Sequence, residues 1–215
     1  YPMKKVLLIL LHIVLAVIVF AGVVFFLQRT EENKGALQIT AQPQSTVFLN
    51  GKEVGKTPLC HCDPKDMLPI GEYSLRLVPV NTGYQPHEEK ITITQSVLTV
   101  VDRTFGDVGK SYGSSISLVP ISDKKNAQIF VSSFPYGAAV TLDSNAVGNT
   151  PALIEQVTDS DHEVSVSKAG YKEKTIRIRG VPGYKLHAVI SLATDTSPVV
   201  ALPTSSPSAK PSTTT

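Results

Sequence analysis

Tryptophan is absent from the 215 residues and tyrosine and phenylalanine number seven each, so the flat indole platform on which a sugar-binding site often stacks its ligand is missing. Cysteine is nearly absent too. The only two, Cys60 and Cys62, are separated by His61, a spacing at which a disulfide is expected to be strained, and two cysteines cannot make a disulfide framework. Charge of one sign is also scarce: the formal net charge is +2, which gives no global field for nucleic acid or for an acidic partner. No Gly-x-Ser-x-Gly elbow occurs, and the Ser residues fall mostly in turns and in the C-terminal tail. After the first thirty residues no stretch keeps a 3.6-residue period, which leaves little room for helices.

What the chain does have is one long apolar run. Val6 to Leu27 carries no charged side chain, and only His12 and Gly22 interrupt its apolar character. At 1.5 Å rise per residue the run reaches roughly 33 Å, enough for a hydrocarbon core of about 30 Å. It is apolar all round, which fits lipid and not one face of a core. Lys4 and Lys5 precede the run and mixed charge follows it, so residues 1–5 are predicted to stay cytoplasmic and the bulk of the chain to lie outside. A cleaved signal peptide is the rival reading, with Val19, Phe20 and Ala21 at a plausible cleavage position, but the apolar run continues well past it. His12 is read as a neutral imidazole near the inner leaflet or at a helix contact. Tyr1 and Pro2 before Met3 suggest a partial chain or a start at Met3. Residues 195–215, rich in Ser, Thr, Pro and Ala, are expected to form an extended linker or tail.

Between anchor and tail one pattern occurs twice. Val47, Leu49, Val54, Gly55, Thr57 and Pro58 recur with identical spacing as Val140, Leu142, Val147, Gly148, Thr150 and Pro151. Pro43 answers Pro135, and Gly83-Tyr84 answers Gly170-Tyr171. Asn50-Gly51 accepts the positive φ angles of a two-residue hairpin, while Asp143 to Ala146 is expected to turn less tightly. Glu72 to Val78, His162 to Ser167 and Lys174 to Arg179 alternate polar and apolar, as half-buried antiparallel strands do. The prediction is an all-β ectodomain of two small antiparallel β-sandwich modules, residues 35–121 and 123–194, after a transmembrane helix at 6–27. The polar run Ser122 to Asn126 marks the boundary between two folding units.

These residues resemble the PEGA domain family. Pro135, Gly137, Ala138, Gly148, Thr150, Pro151, Gly170 and Tyr171 carry the resemblance in the second copy, and Pro43, Asn50, Gly51, Gly55, Thr57, Pro58, Gly83 and Tyr84 in the first. The first copy departs from the naming motif: Pro43, Gln44, Ser45 and Thr46 lack the glycine, which implies a different first turn. The resemblance implies a small β-sandwich in an envelope protein, similar to modules of surface-layer-associated chains, and brings no catalytic residues.

Candidate chemistry is sparse. Gly55-Lys56-Thr57 imitates the end of a phosphate loop, but Asn50 and Pro58 stand where a glycine and a helix start are needed, so no nucleotide is expected. Cys60, His61, Cys62 and Asp63, with His87, are the only cluster of soft ligands; an ordinary loop with reactive or buried thiols is the favoured reading over a metal site. Glu88-Glu89 and the Asp159, Asp161 pair read as solvated carboxylates. No enzyme, cofactor or metal is expected. Lys172, Lys174, Arg177 and Arg179 are the one local excess of charge. Alternation puts Arg177 and Arg179 on one face, where they form a candidate contact for an anionic envelope polymer or headgroup, or simply a solvated edge. The function expected is a membrane-anchored, non-catalytic stalk or interaction module whose partners are the membrane and an envelope glycopolymer or surface-layer protein, with no nucleic acid. The alternative is a polysaccharide-binding module using Tyr73, Tyr84, Tyr112, Tyr136, Tyr171 and Tyr184.

Overall fold

The structure is a computed structural model and describes residues 2–31, 33–80 and 83–195, so the tail from 196 onward lies outside the described residues. The apolar run forms one helix, α1 (Pro2–Glu31), of which Lys5–Phe25 is apolar and long enough to cross a membrane. Its described large side chains, among them Leu7, Leu11, Leu15, Ile18 and Phe20, are exposed. His12 Nδ1 lies 2.7 Å from the Leu8 carbonyl one turn back.

Everything after α1 is β-structure. The first copy contributes β1 (Lys34–Gln42), β2 (Ser45–Leu49), β3 (Lys52–Lys56), β4 (Leu59–His61), β5 (Leu68–Pro69), β6 (Gly71–Pro79), β7 (His87–Ile93) and β8 (Leu98–Thr104). Then comes β9 (Tyr112–Pro120). The second copy contributes β10 (Ala127–Phe134), β11 (Ala139–Leu142), β12 (Asn145–Asn149), β13 (Ala152–Val157), β14 (Asp161–Ser167), β15 (Lys174–Arg179) and β16 (Tyr184–Ser191). Two four-stranded sheets, β3-β2-β6-β7 and β12-β11-β14-β15, each pack on part of one eight-stranded sheet, β13-β10-β16-β9-β8-β1-β4, in which β5 also pairs with β1.

The predicted β-sandwich architecture is present, with one difference in pairing. β1 runs parallel to β8 and β10 runs parallel to β16. The first and last strands of each copy thus lie side by side in one direction, and the intervening strands form the other layer that lets the chain return. The second hairpin is as tight as the first: Asp143 (φ 50°) and Ser144 (φ 68°) make a two-residue turn like Asn50 (φ 50°) and Gly51 (φ 80°). A short polar side chain tolerates the left-handed region well enough to replace the Asn-Gly pair.

The shared sheet is read by one core on each face. β9 is antiparallel to both β8 and β16, with Val100, Ile116 and Ala188 in register, and Val101, Ser115 and Val189 beside them. Val101 belongs to the first core with Leu37, Ile39, Val47, Leu75, Leu77 and Ile93. Ala188 belongs to the second, with Ile129, Val131, Val140, Val164 and Ile190, and Ile116 and Leu118 pack against it. Because successive residues point to opposite faces, the two cores lie on opposite sides of the sheet, related by an approximate twofold axis along β9. The segment Ser122 to Asn126, read as a domain boundary, is the turn between β9 and β10.

Candidate functional site

The residues repeated in the sequence build a buried clip in each copy. Thr150 Oγ1 accepts the Ala138 N–H at 3.0 Å, its own N–H donates to the Ala138 carbonyl at 2.8 Å, and Gly137 N–H donates to its carbonyl at 3.0 Å. Thr57 holds Ser45 in the same way, at 2.9 Å for both bonds. The first copy is one residue shorter here, and the Gln44 Nε2 amide donates to the Thr57 carbonyl at 3.0 Å in place of the missing glycine N–H. That is the different first turn the sequence implied. Pro43, Pro58, Pro135 and Pro151 all follow cis peptide bonds at matching places. Gly55 (φ 150°) and Gly148 (φ 132°) sit at bulges where Val54 and Val147 are the extra residues, a conformation side chains rarely adopt. Tyr84 and Tyr171 pack against the two cores, and Gly170 (φ 80°) turns the chain before Tyr171. Gly83 lies in an extended loop at the rim of a hollow of about 540 Å³ with Gln85, Asp107 and Ser111.

The junction between the copies is where charged side chains gather. On the first face, Ser115 of β9 donates to Glu89 of β7 at 2.6 Å, and His87 Nε2 stands 3.6 Å from the same carboxylate. Burial pushes the Glu89 carboxyl up, but the hydrogen bonds from His87 and Ser115 and the charges of His87 and Arg103 outweigh it and hold it below its ordinary value. Burial lowers the Arg103 pKa, opposed by Glu89. On the other face, Lys174 of β15 reaches Asp102 of β8 at 3.7 Å with its ammonium 5.2 Å from the Tyr112 ring centre, and Thr40 donates to Asp102 at 2.8 Å. Thr194, beyond β16, donates its N–H to Gly109, before β9, at 2.7 Å. The sequence reading missed this junction. The signal was β9 itself, a strand with no counterpart in the second copy, carrying Gly113, Ser115, Ser117 and Val119 on one face and Ile116 and Leu118 on the other.

The four basic residues of the sequence reading are divided by the structure. Lys172 and Lys174 line a hollow of about 250 Å³ with Tyr112 and Leu192. Arg177 lies 3.8 Å from Glu163 and Arg179 3.1 Å from Asp159, so each guanidinium already faces a carboxylate at the exposed surface. Glu88 is likewise paired with Arg76 at 3.1 Å. Of the six tyrosines, Tyr136 is widely exposed and Tyr112 partly so, whereas Tyr73 packs on the first core and donates to Pro69 at 2.9 Å.

Glu89, expected to be solvated, is largely buried, and the expectation for the cysteines is overturned as well. Cys60 and Cys62 are not free thiols but a disulfide, with Cα atoms 5.3 Å apart. Residues two apart on a strand share a face, and the chain leaves β4 after His61, which brings the Cα atoms inside the usual disulfide range. His87 faces Glu89. No group of three metal-binding side chains occurs among the described residues. Thr57 of the phosphate-loop imitation is in the buried clip, followed by strand β4 and not by a helix.

A Ser-His-Asp chain does occur, at Ser160, His162 and Asp143. His162 Nδ1 is 2.7 Å from Asp143 Oδ2, and Nε2 is 3.1 Å from Ser160 Oγ. Nε2 is also 3.1 Å from the Thr158 carbonyl, an acceptor that requires an N–H there and removes the lone pair a general base needs. The Asp143 hydrogen bond raises the His162 pKa, against burial. Asp143 has a structural task of its own: its Oδ1 accepts the Glu163 N–H at 2.9 Å, as Asn50 Oδ1 accepts the Ser74 N–H at 2.9 Å in the first copy. The arrangement caps a hairpin turn.

The family described as the PEGA domain matches residues 35–106 and 126–193. No curated protein matches the chain. Among solved structures, the Bacillus anthracis TIE protein is similar at 13% identity and a TM-score of 0.25, over 74% of this chain and 34% of that one. The chain therefore spans about a third of that structure's length.

Proposed function

The chain belongs to the PEGA domain family, and from that premise we propose that it is a membrane-anchored, non-catalytic stalk which stands whatever follows residue 195 off the outer face of a membrane. The observation that carries this reading is the direction of the chain. It enters the shared sheet from α1 at Lys34 and leaves it at Ser191, and the registers Ala41 to Arg103, Arg103 to Gly113 and Gly113 to Ser191 place the exit level with Ala41. Entry and exit are thus at opposite ends of the strands, seven residues apart in height or roughly 23 Å. A hairpin-closed module that returned its chain beside its entry would not separate the two. An envelope glycopolymer or a surface-layer protein is the partner class we propose for the module surfaces.

Orientation is tested on intact cells with a membrane-impermeant amine reagent, read by mass spectrometry of the full chain. Lys52, Lys124 and Lys125, all exposed, are expected to label before lysis, and Lys4 and Lys5 only after it. Protection of Lys52 and Lys124 until lysis overturns the proposal.

A further inference from the structure

We infer that the eight-stranded sheet is a shear clamp, a load-bearing element that resists tension between the membrane anchor and the exit of the second copy. The inference rests on the stalk reading for the source of the tension, but its geometry is a property of the topology alone. β1, β8 and β16 run in one direction, and β9 lies antiparallel between β8 and β16. Tension applied through α1 pulls β1 along its own axis toward its start. Tension applied beyond residue 195 pulls β16 along its own axis toward its end. The two forces are opposed and parallel to the strands.

That direction decides how the ladders fail. Inter-strand hydrogen bonds lie across the strands, so sliding one strand along another loads a whole ladder together, whereas pulling strands apart sideways loads the terminal pair first and opens the rest in turn. Neither loaded strand is at an edge. β1 is held by seven register pairs to β8 and three to β4, and β16 by eight to β9 and seven to β10. The load crosses from copy to copy through β9, with five pairs to β8. That narrower step is reinforced on both faces, by Ser115 to Glu89 on one and Lys174 to Asp102 on the other. Ile116 and Leu118 of β9 are set into the second core, so sliding β9 also drags apolar side chains out of contact. Two copies joined only by a flexible linker would instead unfold one by one under the same load.

The test is single-molecule force spectroscopy on the full chain in detergent micelles, with click-reactive attachment residues placed at two pairs of positions. Positions 33 and 195 pull along the strands. Positions 33 and 125 lie at the same end of the sheet, because β10 begins there in register with Lys185, and so pull across it. Both labelled chains must melt at the temperature of the parent, which shows that the fold is intact. At equal loading rate the rupture force between 33 and 195 is expected to be several-fold higher than between 33 and 125. Equal or lower force along the strands overturns the clamp and leaves the stalk standing. Inward orientation in the amine-labelling experiment overturns the stalk and leaves the force ratio unaffected.

Discussion

Replacing Thr150 by valine removes one hydroxyl and keeps the shape of the side chain, so it isolates the polar part of the clip. Thr150 is 4% exposed and Ala138, whose N–H it accepts, is fully buried. Without Oγ1 that N–H has no acceptor, while Ser133, which bonds the same hydroxyl at 2.6 Å, still has the Pro135 carbonyl at 2.6 Å. One orphaned donor is left in a dry site, which costs about 1–3 kcal/mol. For a β-region of this size that is a fall of about 2–12 °C in melting temperature, at 2–4 °C per kcal/mol. Thr57→Val orphans the Ser45 N–H in the first copy and is expected to cost the same. The control is Thr175→Val, at an exposed strand position where the lost bond is to Ser165, expected to change stability by no more than about 0.5 kcal/mol. Calorimetry of the three variants beside the parent gives the answer. If Thr150→Val melts with Thr175→Val, the clip is not what holds the motif, and the account of why the sequence repeats a buried threonine is wrong.

Other outcomes are expected from the same structure. A Cβ on Gly113 would overlap the Asp102 carbonyl oxygen, so Gly113→Ala is expected to lower the urea midpoint by the equivalent of about 1–3 kcal/mol, while Gly83→Ala, which meets nothing, leaves it near the parent. A fragment of residues 112–195 keeps β9 with its Ile116 and Leu118 and is expected to fold, whereas 123–195 lacks them and is expected to be less stable or unfolded by circular dichroism. His162 has its pKa raised by Asp143 above the ordinary 6.5, so its contribution to stability is complete below that value and lost as pH rises through the folded one. Asp143 is lowered from 3.8, chiefly by the Glu163 N–H, so its contribution is complete above 3.8 and lost as pH falls through the folded value. Asp143→Asn keeps an acceptor for Glu163, as Asn50 does for Ser74, and is expected to flatten both limbs of melting temperature against pH; unchanged limbs would show that the pair does not titrate as described.

Much of each module was legible because local rules and the fold agree. Asn50-Gly51 announced its hairpin by turn chemistry, and Lys174 to Arg179 its inward Ile178 by alternation. What was not legible is how the modules meet. The β9 strand reads as an ordinary half-polar strand, and nothing local says that its Ile116 and Leu118 pack on the second core while its Ser115 bonds Glu89 of the first copy. Parallel pairing of β1 with β8 is equally silent: in β1, Leu37, Ile39 and Ala41 alternate with polar residues as in an antiparallel strand, and nothing in β8 announces a parallel partner. The Cys60–Cys62 bond was missed for a related reason: its closure depends on the chain leaving β4 after His61, a bend set by what packs around it. The tight turn at Asp143-Ser144 was underestimated because it is also held from a distant strand: the Asp143 N–H donates to the Glu163 carbonyl and Asp143 Oδ1 accepts the Glu163 N–H.

The stalk itself is tested most directly by measuring height above a bilayer. In lipid nanodiscs, energy transfer from a dye at position 33 to acceptor headgroups, compared with the same dye at position 195 of the full chain, reads how far each stands from the membrane. The strands separate the ends of the sheet by roughly 23 Å, so position 195 is expected to stand that much farther from the headgroups than position 33. Equal transfer from both positions would mean that the sheet lies flat on the membrane, and would contradict the account.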